Sequence, residues 1–335
     1  MKQQLSGFKV VFFAVAITLA VSATLNSLGA VPLRQPSSAT LVSGTYVNPL
    51  QVALLYWYPA NKTTTFAVGA EPQGVAFDGT HIWVANVDSN NITELQASTG
   101  RLLGTFAAGT SPEGVAFDGA NIWVANWGSN NVTKLRASDG TALGTFAVGT
   151  NPWVVAFDGA NIWVTNINSN NVTKLRASDG KVLGTFAVGS NPEGIAFDGA
   201  NVWVANFGAH TVTKMRGSDG TVLGTFGVGT NPEGIAFDGV NIWLANYGSK
   251  NVTELQASDG KVLGTFSVGT NPQSLAFDGA NIWVTNFGAH TVTKLQASTG
   301  KVLGTFTVGK EPTGIAFDGA NIWVANYGNN TVSKL

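Results

Sequence analysis

The sequence predicts an all-β fold: a seven-bladed β-propeller with four antiparallel strands per blade. Three observations support this prediction. A unit of 40 residues recurs seven times, each unit contains four short apolar runs, and Asp-Gly pairs separate successive runs. Repeats of about 40 residues with four strands each are typical of propeller blades. No long window shows the apolar periodicity of an amphipathic helix, so the sequence predicts no substantial helix.

Aromatic residues mark the repeat most clearly. Tryptophan recurs every 40 residues, at Trp83, Trp123, Trp163, Trp203, Trp243, Trp283 and Trp323. Proline recurs with the same spacing, at Pro72, Pro112, Pro152, Pro192, Pro232, Pro272 and Pro312. Each tryptophan stands inside an apolar run, which predicts that this column packs inside the blades and does not bind a ligand.

The repeat that begins at Pro232 shows the predicted strands of one blade. Its four runs, named a to d, are Ile235–Phe237, Ile242–Ala245, Val252–Leu255 and Val262–Val268. Each run is rich in β-branched or aromatic residues, as strands are. Asp238-Gly239 separates run a from run b, and an Asp-Gly pair between apolar runs is a strong hairpin signal.

The first and last parts of the repeat region together complete one blade. The seventh repeat reaches Leu335 after run c, whereas Thr63–Gly69 (TTTFAVG) matches run d with no runs a to c before it. We therefore predict that an N-terminal strand completes the last blade and closes the ring. A closed ring leaves no unpaired inner sheet edge. The predicted propeller domain comprises residues 63–335.

Residues 1–30 have the pattern of a secretory signal peptide. Lys2 and Lys9 precede Val10–Ala23, a stretch of 14 residues without charge. A membrane span needs about 20 apolar residues, so the stretch favours a cleaved signal over the alternative of an uncleaved anchor. We expect a secreted, periplasmic or cell-surface protein. Residues 31–62 are predicted to form a linker, with an apolar segment (53–59) against the outer rim of the last blade.

Composition excludes several classes of function. Charged residues make up 11% of the chain and the net charge is −1, which argues against a nucleic-acid partner. The sequence contains no cysteine, which excludes disulfides, thiolate metal sites and a cysteine nucleophile. Neither a G-x-S-x-G elbow with a matched triad nor a phosphate-binding P-loop is present. We expect a monomer with no membrane contact beyond the signal.

The repeat text resembles a known family. Run b reads IWVTN at Ile162–Asn166 and Ile282–Asn286 and IWVAN in other repeats, followed by segments such as GSNNVTKL and DGKVLGTF. These motifs resemble the YVTN (YncE-like) β-propeller repeats, which are related to NHL and virginiamycin-B-lyase-like propellers. The resemblance covers about residues 60–335 and implies an extracellular or surface protein. Lyase-like relatives place a histidine and acidic residues with Mg²⁺ over the propeller centre, but nothing here matches that set.

Two other repeated columns are predicted to be structural. The Asp of each a–b turn is expected to bond its own backbone, because Asp-Gly turns do so. The Asn that ends each run b is expected to satisfy backbone groups of the loops. His210 and His290 share one loop column two blades apart, too far to hold one zinc ion, and are predicted to be surface residues. No catalytic and no metal-ligating residue is predicted.

The columns that vary between repeats are the candidate binding site. The residue after the repeat proline starts the innermost strand and should ring the channel mouth: Gln73, Glu113, Trp153, Glu193, Glu233, Gln273 and Thr313. The residue after the run-b asparagine should lie farther out on the same rim, with aromatic members Trp127, Phe207, Tyr247, Phe287 and Tyr327. Carboxylates and amides beside aromatic rings suit a sugar, a peptide or another small polar ligand.

These residues leave three interpretations open. The favoured one is an exported, non-catalytic ligand-binding or interaction scaffold, whose partner is an extracellular glycan, a peptide or a cell-surface protein. The second is a metal-dependent lyase or lactonase at the channel mouth, since Glu113, Glu193 and Glu233 are possible ligands for Ca²⁺ or Mg²⁺. The third is a hydrated channel mouth with no ligand and no cofactor.

Overall fold

The computed structural model describes residues 64–335 and confirms the predicted all-β propeller. Within these residues, seven separate sheets each contain four antiparallel strands. The predicted signal peptide (1–30) and the predicted linker and rim segment (31–62) lie outside the described residues. Among residues 64–335, no helix is long and apolar enough to cross a membrane.

The strands follow one another in chain order around the ring. Blades 1 and 2 contain β2 (Pro72–Phe77), β3 (His81–Asn86), β4 (Asn91–Gln96), β5 (Leu102–Ala107), β6 (Pro112–Phe117), β7 (Asn121–Asn126), β8 (Asn131–Arg136) and β9 (Ala142–Ala147). Blades 3 and 4 contain β10 (Pro152–Phe157), β11 (Asn161–Asn166), β12 (Asn171–Arg176), β13 (Val182–Ala187), β14 (Pro192–Phe197), β15 (Asn201–Asn206), β16 (Thr211–Arg216) and β17 (Val222–Gly227). Blades 5 and 6 contain β18 (Pro232–Phe237), β19 (Asn241–Asn246), β20 (Asn251–Gln256), β21 (Val262–Ser267), β22 (Pro272–Phe277), β23 (Asn281–Asn286), β24 (Thr291–Gln296) and β25 (Val302–Thr307).

The seventh blade combines the two ends of the described chain. It contains β26 (Pro312–Phe317), β27 (Ile322–Asn326), β28 (Thr331–Lys334) and β1 (Thr64–Ala67). β1 pairs antiparallel with β28, with Phe66 opposite Val332. This pairing confirms the predicted closure by an N-terminal strand. Two short 3₁₀ turns, Phe287–Ala289 and Tyr327–Asn329, are the helical elements of residues 64–335.

The inner strands surround the propeller axis. The first strand of each blade packs against the first strand of the next, and β26 packs against β2 to complete the circle. These strands begin at the proline, three residues before the predicted run. In blade 5, Pro232 pairs with Asn246, and a bulge separates that pair from the regular pairing that starts at Ile235. The sequence predicts the residue after the proline as the start of this strand, one residue later than observed, whereas the apolar run marks only the regular part that follows the bulge.

The hydrophobic core lies between adjacent blades. Trp123 of blade 2 is fully buried among Val155, Ile162 and Leu175 of blade 3. Its ring also lies 5.5 Å from that of Phe146 on the outer strand of its own blade. The same Trp–Phe pair recurs in every blade, and in the last one β1 supplies Phe66 to Trp323. Closure therefore completes both the hydrogen bonding and the core of blade 7.

The Asp-Gly hairpins confirm the predicted turn chemistry and add a contact to it. Gly119 has a φ of 97°, which glycine adopts without strain. Asp118 accepts hydrogen bonds from the backbone N–H groups of Ala120 (2.9 Å) and Asn121 (2.7 Å). Its second oxygen accepts a hydrogen bond from the indole Nε1 of Trp123 at 2.7 Å. Each hairpin aspartate thus also fixes the tryptophan that fills its blade.

The asparagine that ends the second strand is buried in every blade, and in five of the seven it accepts a hydrogen bond from the loop backbone, as predicted. In blades 1 and 5 the Oδ1 atoms of Asn86 and Asn246 have no partner among the described residues. Asn126 is fully buried. Its Nδ2 donates to Asn131 Oδ1 (2.8 Å) and Thr133 Oγ1 (2.9 Å), and its Oδ1 accepts from the backbone N–H of Gly109 (3.0 Å). The side chain therefore ties the loop that enters its blade to the third strand.

Candidate functional site

A central cavity of about 140 Å³ opens where the inner strands begin. Its wall includes five of the residues predicted to ring the channel mouth: Gln73, Glu113, Trp153, Glu233 and Gln273. Among the seven predicted members, Glu193 is not part of the wall, although its neighbour Gly194 is. Thr313 lies in the wall as well and is almost completely buried.

Local backbone geometry places these side chains at the axis. The proline of each inner strand pairs with the buried asparagine of the second strand, and the bulge that follows leaves the next two residues outside the regular pairing. The second of these is Gly114 in blade 2, where a Cβ atom would collide with the carbonyl oxygen of Trp153 in blade 3. Glycine thus lets neighbouring inner strands approach closely. Because the strands are close, the residues that precede these glycines, such as Glu113, form a narrow ring around the axis.

Glu113 is the most unusual of these residues. Its relative exposure is 6%, and within residues 64–335 its Oε2 atom has no hydrogen-bond partner. Burial raises the pKa of Glu113, and with the added effect of the negative charges of Glu71 and Glu233 the pKa reaches about 8. These effects favour the protonated form of this carboxyl group at neutral pH.

Glu233 and Glu193 are the other two glutamates of the predicted ring, and the charge of Glu233 acts on Glu193. Glu233 is buried, which raises its pKa, while a hydrogen bond from Gln273 opposes the rise. Glu193 is half-buried; burial raises its pKa first, and the charge of Glu233 adds to the effect. Carboxyl groups that repel one another in a desolvated site favour the neutral form. The raised pKa values favour the protonated forms of Glu193 and Glu233, and a ligand that prefers the ionised forms would release these protons.

The predicted aromatic residues lie on the same end of the propeller, outside the cavity wall. Tyr247 packs between Phe207 and Phe287, with ring centroids 6.3 and 6.5 Å apart. Trp127 is 39% exposed, and Tyr327 is only partly buried. Phe287 belongs to the predicted column and joins the row.

The tyrosines adjoin the acidic groups. Burial raises the pKa of Tyr247, and the charges of Glu233 and Glu193 add to the rise. Burial also raises the pKa of Tyr327, which hydrogen-bonds Glu71 and senses the charge of Glu113. The structure therefore brings an acidic inner ring and an aromatic outer row together on one face.

Sequence reasoning missed the deeper wall of the cavity. Side chains two positions after the ring residues line it with apolar surface: Val75, Val115, Ile195, Ile235 and Ile315. A bulge separates Pro72 from the regular pairing that starts at Val75, so the apolar pattern of the run did not indicate that Val75 reaches the cavity. The cavity is polar at its mouth and apolar below.

Two threonines adjust the mouth in blades 3 and 6. Val154 occupies the position of the close-packed glycine, and its backbone N–H donates to Thr165 Oγ1 at 3.1 Å. Thr165 in turn donates to the carbonyl oxygen of Glu193 in the next blade at 2.7 Å. In blade 6, Thr285 likewise accepts from Ser274 and donates to Thr313. Thr165 and Thr285 are the threonines of the IWVTN motif. These two side chains therefore link adjacent blades at the mouth.

The two loop histidines also link blades. His210 Nδ1 accepts a hydrogen bond from the backbone N–H of Asn231 (3.0 Å), and His290 Nδ1 accepts one from Glu311 (3.0 Å). In blade 1 the amide oxygen of Asn90 accepts the same bond from Ser111. The histidines thus replace asparagines in a repeated contact between neighbouring loops.

The acidic residues do not fit a directly coordinated metal ion. Within the described part of the chain, no three histidine, aspartate or glutamate side chains converge closely enough to hold one ion. Ca²⁺ and Mg²⁺ prefer several oxygen ligands within about 2.0–2.6 Å. Glu113, Glu193 and Glu233 come from three different blades and remain spread around the axis.

Comparisons with known proteins support the fold alone. No family model matches the sequence, and no curated protein matches it. A streptogramin B lyase structure is similar with a TM-score of 0.70 and 20% identity, over 82% of this chain and 96% of that chain. Hydrazine synthase of Kuenenia stuttgartiensis is similar with a TM-score of 0.72 and 18% identity, over 88% of this chain and 99% of that one.

Neither similarity establishes an activity. Both identities are low, and one scaffold hosts many unrelated functions, so only the propeller fold follows. The predicted membership of the YVTN repeat family is not established by these matches and stays a prediction.

Proposed function

We propose that this protein is a non-catalytic ligand-binding propeller whose binding site is the mouth of the central channel. Among residues 64–335, five buried side-chain acceptor atoms have no partner, and the observation that carries the proposal is that three of them belong to residues of this one cavity: Gln73 Oε1, Glu113 Oε2 and Gln273 Oε1. The other two are the Oδ1 atoms of Asn86 and Asn246. A buried polar atom without a partner costs about 1–3 kcal/mol, so native proteins rarely keep several at one place. A ligand that donates to these atoms would recover that free energy.

The distribution of sequence differences supports the same site. The hairpin aspartate, the core tryptophan and the buried asparagine recur in every blade, whereas the ring position changes among glutamate, glutamine, tryptophan and threonine. A ligand that lies across the axis meets each blade differently, and a differentiated ring suits such a ligand.

We further propose that the chain is a monomer exported to a secreted, periplasmic or cell-surface location and belongs among the YVTN-like propellers. The apolar stretch Val10–Ala23 and the repeat motifs support this placement. On this proposal its partner is an extracellular glycan, a peptide or a cell-surface protein. N-terminal sequencing of the protein recovered from the culture medium or cell surface tests the export step.

A binding screen tests the proposed site. We expect at least one member of a panel of glycans, peptides and small polar compounds to raise the unfolding temperature, since a ligand at 100 times its Kd adds about 2.7 kcal/mol. Glu233→Gln should abolish that shift. Glu311→Gln is the matched control, because it removes a carboxylate from the same face but outside the cavity wall. Equal binding by both variants would refute the site.

A second measurement distinguishes the proposed binding function from the alternative of a metal-dependent lyase or lactonase. Thermal unfolding with and without Ca²⁺ or Mg²⁺ should show no shift, because no set of carboxylates converges within the described residues. A shift that Glu113→Gln removes would support a metal enzyme and count against the binding function.

A further inference from the structure

The chemistry of the unpartnered atoms restricts the ligand. Gln73 Oε1, Glu113 Oε2 and Gln273 Oε1 are all hydrogen-bond acceptors. Gln73, Glu113 and Gln273 all line the central cavity, and Glu113 is 94% buried. No unpartnered buried donor lies among the side chains that the structure describes. A ligand that satisfies this wall must therefore donate hydrogen bonds at several points.

The charge around the cavity favours a cation. Within residues 64–335, six acidic side chains lie at the mouth end and only two lysines do. With histidines neutral, the net charge there is −4 when all six acids are ionised and −1 when Glu113, Glu193 and Glu233 are protonated. The acidic residues are Glu71, Asp88, Glu113, Glu193, Glu233 and Glu311. Lys250 and Lys310 lie on loops outside the cavity wall. In the described chain, none of the three ring glutamates has an ion-pair partner.

The shape and lining of the cavity favour an organic cation over a metal ion. The acidic groups do not converge on one point. Trp153 stands in the same ring, and valine and isoleucine side chains form the wall below it. An aliphatic stem fits that apolar wall, while an ammonium or guanidinium group can face both carboxylates and the tryptophan ring.

We propose that the ligand of this mouth is an organic cation with an aliphatic stem and an ammonium or guanidinium head. This inference rests on the binding function proposed above and specifies the class of ligand. The head donates hydrogen bonds to Glu113, Gln73 and Gln273, and the stem packs against the apolar wall. The source is either a free amine or a lysine or arginine side chain of a peptide.

Proton release should accompany binding. Burial raises the pKa of Glu113, Glu193 and Glu233, so these groups hold protons before the ligand arrives. A cation favours their ionised forms, and each proton released strengthens binding by up to about tenfold per pH unit. Glu71, Asp88, Tyr247 and Tyr327 also face the ring, and their negative or neutral states do not oppose a cation.

Calorimetry on the full chain tests the ligand class. The probes are 1,4-diaminobutane, the neutral 1,4-butanediol, Mg²⁺, and the capped peptide acetyl-Gly-Lys-Gly-amide, each at pH 6.5, 7.5 and 8.5. We expect the diamine or the lysine peptide to bind, more tightly at pH 8.5 than at 6.5, with proton release that depends on the buffer. Which of the two binds identifies the source. A neutral ligand held by protonated carboxyl groups would show the opposite pH trend.

Matched variants locate the cation. Glu113→Gln should weaken binding at least about tenfold, because it removes a buried charged partner. It should also reduce the number of protons released. Glu233→Gln should act in the same direction, whereas Glu311→Gln should change the affinity by less than about threefold, as a rim charge does. Unchanged unfolding temperatures would show that the variants are folded.

The possible failures are distinguishable. If the diol binds as tightly as the diamine, or Mg²⁺ alone occupies the mouth, the organic cation is wrong. If a neutral compound from the panel binds in a Glu233-dependent manner while both cationic probes fail, the inference falls and the binding function stands. If neither the panel nor the probes bind, both fall.

Discussion

The carboxyl groups at the two ends of the propeller have opposite environments. At the hairpin end, the carboxylate of Asp118 accepts two backbone N–H groups and an indole N–H. At the mouth, Glu113 is buried with one oxygen unpartnered among the described residues. Burial would raise the pKa of Asp118, but its hydrogen bonds, led by that from Trp123, lower it below the usual value.

This contrast separates structural from functional residues. The hairpin carboxylates satisfy donors in their own blade, and the arrangement recurs in all seven blades. At the mouth, the Oε2 atom of Glu113 has no partner among the described residues, and the ring position differs from blade to blade. The repeated, fully bonded hairpin carboxylates suit a structural role, whereas the variable and partly unpartnered ring suits the proposed binding function.

The largest expected effect is at the hairpin end. Trp123→Ala should destabilise the fold by about 3–5 kcal/mol, because it empties a fully buried site between two blades. Trp127→Ala, at the mouth, should cost far less, since its side chain is 39% exposed. Urea unfolding of the two variants measures the difference. Equal losses would contradict the division into a structural and a functional end.

The hairpin carboxylate should show the next largest effect. Asp118→Ala should cost about 2 kcal/mol, since it leaves the buried indole N–H of Trp123 and two backbone donors without their acceptor. Glu113→Gln should leave stability at pH 7 unchanged or slightly higher, because glutamine resembles the protonated acid. The comparison fails if Glu113→Gln destabilises the fold as much as Asp118→Ala does.

The two ends should also differ in the pH dependence of stability. Glu113 has a folded pKa of about 8, above its unfolded value, so the folded state binds more protons between about pH 4.5 and 8. Its contribution to stability is present at low pH and falls by up to about 1.4 kcal/mol per pH unit across that window. Thermal unfolding of Glu113→Gln should show a smaller loss from pH 6 to 9 than the parent chain.

The hairpin aspartates predict the opposite slope at acid pH. The folded pKa of Asp118 lies below its unfolded value, so its stabilisation is present above the usual Asp range and is lost as pH falls through the folded pKa. Asp118→Asn should flatten stability below about pH 4 and leave the range from 6 to 9 unchanged. A slope between pH 6 and 9 that changes in Asp118→Asn would be inconsistent with this assignment.

The smallest expected effect is at a link between blades. Thr165→Ala removes the bonds to Val154 and Glu193 and should cost about 1 kcal/mol. Thr165→Ala should weaken ligand binding by a larger free energy than it removes from stability, because Thr165 holds the backbone carbonyl of Glu193 at the mouth. Ala125→Thr in blade 2, where Gly114 replaces Val154, is the reverse substitution and should not improve binding.

The regular part of the molecule was predictable from the sequence because it is local and repeated. Asp-Gly turns, apolar runs and the 40-residue period each indicate a strand or a hairpin, and the stray copy at Thr63–Gly69 indicates the closure. The inner strands start at the proline, one residue before the predicted position, and no apolar pattern indicated the bulge that follows Pro232.

The sequence was a weaker guide to which residues line the cavity and to how their carboxyl groups are buried. The proline column indicated an axial position for seven residues, and six of them, Thr313 included, line the cavity, whereas Glu193 does not. Membership of the wall depends on how neighbouring inner strands pack, and those residues are 40 positions apart in the chain. Burial and the absence of partners, which raise the pKa of Glu113, likewise arise only from that packing.

Carbon-13 NMR of the glutamate side-chain carboxyl groups, titrated from pH 3 to 10, tests the central claim most directly. The account predicts that the resonance lost in Glu113→Gln titrates near pH 8 in the free protein. Addition of 1,4-diaminobutane should move that midpoint to lower pH. A Glu113 resonance that titrates near pH 4.5, as an exposed glutamate does, would contradict the account of a buried, unpartnered ring at the mouth.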